Sequence, residues 1–307
     1  RMQADLLAKA GRSGEATAAL AQADRLKALP KELVAVSNML AEGKLLKAED
    51  LCRRFLQANP THIEGMRLLA EIAVKLGVME DAETLLENAV AFEPDNIQLR
   101  LDYIQTLRKR QKFADALKEA QSLYEREPEN PIFISHYAIE RMQTGDYQGA
   151  LALFDQVLEK RPNDPATLTS RGHALKTWGE QDKAVAAYKA ACTARPEQGD
   201  AWYALANLKT YRFSEEEIAR MRELEARPQL PFADRVHLCF ALGKALEDAD
   251  DIDQSFAFYD KGNALKRAQS RYTSEGMEAE FQAQKAACTA ELFEKKAGMG
   301  HDAPDPI

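Results

Sequence analysis

The chain has 307 residues, 45% hydrophobic and 29% charged, with a net charge of −8, a pI near 5.4 and a mean hydropathy of −0.45. That balance suits a largely helical protein and excludes a general nucleic-acid binder, whose phosphate contacts need a basic face. No apolar run reaches the length of a membrane span and no basic start leads into an apolar stretch, so the expected setting is cytoplasmic, with no membrane partner.

In chain order, residues 2–10 and 14–28 read as an Ala-rich helical pair with Gly11 and Gly14 at the turn. Pro30 falls four residues out of register with the prolines after it, so residues 1–28 are expected to be a divergent unit covering the end of a stack. A strict interval then begins. Pro60, Pro94, Pro128, Pro162 and Pro196 stand 34 residues apart, and Ala48, Ala82, Ala116, Ala150 and Ala184 keep the same spacing. Residues 165–198 supply Leu168, Gly172, Leu175, Gly179, Ala184, Tyr188, Ala191 and Pro196 in one register. The windows starting at 63 and 131 repeat most of that pattern, and the one starting at 97 is weaker, with Gln111 where its neighbours carry Gly. This is the tetratricopeptide (TPR) repeat, and it predicts an all-α, right-handed α-solenoid of helix hairpins.

Each ladder residue has a packing role that needs no ligand. Ala70, Ala138, Gly172 and Ala206 are expected where the first helix of a unit crosses the second. Gly43, Gly77, Gly145 and Gly179 are expected to end first helices with a positive φ, and the prolines follow second helices because Pro cannot continue them. Cys52 takes a second-helix core position filled elsewhere by Leu86, Phe154 and Tyr188, so it reads as a small buried hydrophobe. The four cysteines form no C-x-x-C pair, and a reducing compartment is the simplest setting.

The unit starting near 199 opens with Trp202, Leu205, Ala206 and Leu208, but the pattern changes after Tyr211. Ser214 and Glu217 predict a capping box opening a helix over 215–226, and Pro228 and Pro231 then break the chain. The expected domains are residues 1–28, a TPR array over 29–231, a TPR-like hairpin with connecting helices over 232–297, and the start of a further domain at 298–307. In that hairpin Ser255 and Gly262 replace the usual alanines, beside Gly243 and Tyr259.

The stretch FALGKALEDADDIDQSFAFYDKGNALKRA (240–268) resembles the hairpin that joins the repeat array to the catalytic domain in bacterial TPR-containing sulfotransferases, a family related to protein-tyrosine sulfotransferases. The resemblance extends through RYTSEGMEAEFQAQKAACTAELFEKKAG (271–298) to DAPDPI (302–307). It implies that the chain is the substrate-recognition or scaffolding arm of a transferase using 3'-phosphoadenosine-5'-phosphosulfate. The donor loop of that family, Gly-x-Pro-Arg-Ser-Gly-Thr in type, has no counterpart before Ile307, so no catalytic residue carries over. The alternative is a stand-alone TPR adaptor scaffolding a protein complex.

Other chemistry is sparse. His62, His136, His173, His237 and His301 show no paired-ligand spacing, and no phosphate-binding glycine loop or nucleophile elbow occurs. Asp250, Asp251 and Asp253 lack the Gly and the distant Glu of a calcium loop. No metal and no resident cofactor are expected.

The remaining feature is the concave wall expected from the outward stripe of each first helix. It predicts a peptide-binding groove of Arg67, Lys75, Arg108, Lys109, Ile132, Ile139, His173, Lys176, Tyr203, Asn207 and Tyr211. Along the projected stripe the five basic residues Arg67, Lys75, Arg108, Lys109 and Lys176 face only Glu64 and Glu71, giving a mildly basic groove on an acidic protein. The expected ligand is an extended, acidic or tyrosine-containing peptide. The paired Lys and Asn of a chaperone-tail clamp are missing. So is the asparagine ladder of sugar-transferring TPR enzymes, whose line carries Leu68, Asp102, His136 and Ser170.

Overall fold

The computed structural model describes residues 29–269 and 272–299. The helical pair expected over 1–28 lies outside the described residues, as does most of the segment 298–307. Among the described residues there are sixteen α-helices and no strand, in two compact units, Arg1–Ala184 and Val185–Ile307.

The first unit contains α1 (Lys31–Ala41), α2 (Leu45–Ala58), α3 (Ile63–Leu76), α4 (Met79–Phe92), α5 (Ile97–Lys109), α6 (Phe113–Arg126), α7 (Pro131–Gln143), α8 (Tyr147–Lys160), α9 (Pro165–Thr177) and the start of α10 (Gln181–Ala194). From α1 to α9 each helix packs on the next, and first helices also stack, α1 on α3 and α7 on α9. The ladder alanines Ala48, Ala82, Ala116, Ala150 and Ala184 are all fully buried, and Ala70 and Ala138 are at most 1% exposed. Their size lets paired helices approach, and larger neighbours fill the spaces: Phe133, Phe154, Ile72, Ile104 and Leu123. Each such side chain contributes about 1.5–3 kcal/mol by leaving water.

Turn chemistry repeats with the same period. Gly43, Gly77, Gly145 and Gly179 have φ of 72°, 83°, 89° and 90°, the left-handed end that a Cβ disfavours, and Gln111 holds the same position at 61°. At the other end, His62, Asn96, Asn130 and Asp164 cap α3, α5, α7 and α9, each accepting a backbone N–H from the first turn. Polar staples join neighbouring hairpins: Arg53–Asp81 at 2.9 Å, Lys112–Glu83 at 2.5 Å and Arg126–Asp95 at 2.9 Å. The two exposed pairs, Arg53–Asp81 and Arg126–Asp95, contribute about 0–1 kcal/mol each, whereas Glu83 of the third is buried.

The second unit holds the rest of α10, then α11 (Gly199–Ala206), α12 (Glu215–Glu225), α13 (Phe232–Asp248), α14 (Ile252–Gln269), α15 (Ser274–Ala287) and α16 (Ala290–Lys295). The predicted capping box is present: the Glu217 N–H donates to Ser214 Oγ at 3.3 Å, and the Ser214 N–H donates to Glu217 Oε2 at 3.0 Å. Gly199 donates its N–H to Asp234 Oδ1 at 2.9 Å, and a Cβ there would lie 2.3 Å from the Asp234 carbonyl oxygen, so no side chain fits. In the α13–α14 hairpin, Ser255 Oγ donates to the Gly243 carbonyl at 2.7 Å, and a Cβ on Gly243 would meet the Tyr259 ring at 2.7 Å. Gly262 lies against Cys239 and Phe240. The small residues of this hairpin are thus set by helix packing.

Candidate functional site

The first helices α3, α5, α7 and α9 place Arg67, Lys75, Arg108, Lys109, Ile132, Ile139, His173 and Lys176 in the first unit. Most of the predicted cationic groups already have intramolecular partners. Arg67 grips Glu64 with two nitrogens, at 2.7 and 2.9 Å, and lies 3.7 Å from Glu71 and 3.8 Å from Asp102. Lys75 pairs with Glu71 at 3.6 Å. Arg108 donates to Glu140 Oε1 from Nε at 2.7 Å and again from Nη2.

Glu140 is fully buried, and its second oxygen has no hydrogen-bond partner among the described residues. Burial pushes its carboxyl upward, and the Arg108 guanidinium opposes the shift. On the same helix, four residues earlier, His136 is driven down to about 4 by burial first and by Arg108 second. Asp102 is raised by burial against the hydrogen bond from Gln98 and the charge of Arg67. Adding Asp102 and Glu140 to the acids gives four carboxylates, Glu64, Glu71, Asp102 and Glu140, beside the five basic residues named from sequence. Sequence projection missed Glu140 because it lies on the buried side of α7, where a carboxylate has no reason to be unless a neighbouring unit supplies a cation.

A cavity of about 200 Å³ opens between α3 and α5. Val74 and Leu86 give it apolar walls, and Arg67, Glu71, Asp102 and Lys109 its polar ones. Lys109 is exposed and has no ion pair among the described residues, and Lys176 on α9 is alike. Ile132 at the start of α7 is 53% exposed, whereas Ile139 and His173 are half-buried. Leu101, on the same helix as Lys109, is buried.

The other predicted residues belong to the second unit. Tyr203 stacks on His237 with ring centroids 5.3 Å apart and planes 9° from parallel. Tyr211 donates its hydroxyl to Glu217 at 2.7 Å, meets Phe213 edge-on, and lies under Lys189 at 5.7 Å. Burial and the Glu217 carboxylate push its phenol up to about 12. Asn207 is exposed at the end of α11. Among the described residues no group of three or more His, Cys, Asp or Glu side chains could hold a metal ion, and no helix is long and apolar enough to cross a membrane.

Two family models match the chain. Residues 51–168 match the TPR domain of cytochrome c-type biogenesis protein H, and residues 166–198 match a tetratricopeptide repeat. A putative cytochrome c-type biogenesis protein CcmH from Haemophilus influenzae is 28% identical over 130 residues, which is 41% of this chain and 28% of the relative. The chain therefore spans less than a third of that relative's length. Among solved structures, YrrB, a TPR protein with an unusual peptide-binding site, is 17% identical over 55% of this chain and 87% of its own, with a TM-score of 0.45. MamA from Desulfovibrio magneticus RS-1 is 11% identical over 54% and 94%, with a TM-score of 0.48. Scores at this level say nothing about ligand or partner.

These matches overturn the sulfotransferase resemblance, because the family that the array resembles is that of cytochrome c biogenesis. The letters that suggested a transferase arm, Gly243, Ser255, Tyr259 and Gly262, are accounted for by the close packing of α13 on α14. The expectation of 3'-phosphoadenosine-5'-phosphosulfate for a catalytic domain falls with it. With its helical hairpins, ladder alanines and repeat matches, the chain is an all-α tetratricopeptide array, a protein-interaction scaffold.

Proposed function

We propose that this protein is a TPR adaptor that holds an extended segment of a partner protein against the first helices α3–α9, within a complex that serves c-type cytochrome biogenesis. The observation that carries the peptide reading is the cavity between α3 and α5, apolar on Val74 and Leu86, with the unpaired Lys109 at its edge. An apolar wall beside one uncompensated cation suits an apolar side chain flanked by an acidic one. Arg67 and Arg108 are excluded as main anchors, since binding a ligand would first require breaking their pairs with Glu64 and Glu140. A tyrosine in the ligand has no support once the transferase reading is gone.

Titration of fluorescent acidic-apolar peptides against the protein and a Lys109→Ala variant tests the site. A several-fold weaker affinity in the variant, with a reduced salt dependence, is expected; equal affinities would remove Lys109 from the site. The biological setting is supported by the match over residues 51–168 and has its own test. Deleting the gene should lower covalently bound haem in c-type cytochromes, and an unchanged haem-stained profile would dismiss that setting while leaving the peptide site standing.

A further inference from the structure

On α4 and α8 the residues after the ladder alanine, Glu83 and Leu151, are only 8% exposed, and Glu83 pairs with Arg110 and Lys112 of the next hairpin. The same place on α14, after Ser255, is Phe256, which is 71% exposed, with Ile252 one turn earlier at 58%. The next helix, α15, leaves all of its residues exposed, including Met277 at 52% and Phe281 at 57% on one face. Both halves of a stacking interface are present in this unit, and neither is covered. Single exposed apolar residues are ordinary, but two complementary stripes of them mark an interaction site.

Charge fits the two helices to each other. The last turn of α14 carries Lys266 and Arg267, and the first half of α15 carries Glu275, Glu278 and Glu280. An antiparallel pairing that sets the acidic turn on the basic one, with Met277 and Phe281 facing α14, brings Gln284 and Cys288 of that same face towards Phe256. The chain's own α15 does not cover this face, since every residue of α15 is exposed. Helices α2, α4, α6, α8 and α10 have 14 residues each and α14 has 18, an extra turn of about 6 Å that carries the chain past the point where the earlier units fold back.

We propose that α14 and α15 form a self-association surface, in which α15 of a second copy of this chain lies antiparallel on α14 and the contact is repeated reciprocally. Such an exchange is a two-fold, self-complementary arrangement that each copy satisfies with the same two helices. Cys288, one residue beyond α15, is exposed while Cys52, Cys192 and Cys239 are buried, and this seating brings Cys288 within a turn of position 256.

The experiment combines sedimentation with a disulfide probe. The unmodified protein should sediment as a dimer, and Phe281→Glu, a change at an exposed site, as a monomer of unaltered helicity. Phe256→Cys should give a covalent dimer on mild oxidation that is lost in Phe256→Cys, Cys288→Ser. A protein that is monomeric at every concentration overturns the proposal, as does an oxidised Phe256→Cys that keeps the monomer mass. A covalent dimer that survives Cys288→Ser would instead join two α14 helices and overturn the seating.

Discussion

Gln111 occupies the left-handed position that glycine holds in four other units, at φ 61°. A side chain there stores strain that glycine would release, partly offset by the greater freedom of glycine in the unfolded chain. Gln111→Gly should therefore stabilise the protein by about 0.5–1 kcal/mol, read as a raised midpoint in urea unfolding. His136 makes a second prediction at this scale. Its imidazole stays neutral in the folded protein down to about pH 4 and protonates near 6.5 when unfolded. Between those values the unfolded state binds the extra proton, so stability falls as pH drops from about 6.5 to about 4. His136→Asn should remove about 1–3 kcal/mol of that loss, seen by comparing unfolding midpoints at pH 7 and pH 4. An acid-side slope as steep as before would show that the imidazole is not the group responsible.

Between elements, the Arg108–Glu140 pair joins α5 to α7 with its acid fully buried. Arg108→Ala should cost about 3–5 kcal/mol, because it leaves a carboxylate without a counter-charge or water. Glu140→Leu should cost less, since Arg108 is a quarter exposed and can turn to solvent. The double change Arg108→Met, Glu140→Leu should recover most of the loss, and equal destabilisation by all three variants in thermal melts would refute the pair's role. Weaker peptide binding in Arg108→Ala would therefore report lost packing as much as a lost contact, which is why Lys109→Ala is the cleaner probe.

Over the whole molecule, burial sorts the thiols. Cys52 and Cys239 are pushed up to about 11 and Cys192 is also raised, in each case chiefly by burial. Cys288 alone of the four is exposed. One equivalent should react quickly with Ellman's reagent in native buffer, and the other three only in denaturant. Rapid reaction of two or more would mean that one of the cores around Cys52, Cys192 or Cys239 opens readily.

The 34-residue period by itself determined the helices, their breaks at Gly43, Gly77, Gly145 and Gly179, and the buried alanine ladder, because each depends on local geometry or on a neighbour at fixed spacing. The capping box at Ser214 was legible for the same reason. The candidate site was legible only as a list of residues. Whether Arg67, Arg108 or Tyr203 is available to a ligand depends on Asp102, Glu140 and His237, which stacking and helix crossings bring to them from elsewhere in the chain, while Tyr211 is held by Glu217 of the turn that follows it. Sequence spacing places side chains on a face, but only tertiary packing decides which charges and rings on that face are already spoken for. That is why the repeat named Lys109 among five cations but only the fold singled it out as unpaired, and why the bare faces of α14 and α15 emerged from the fold.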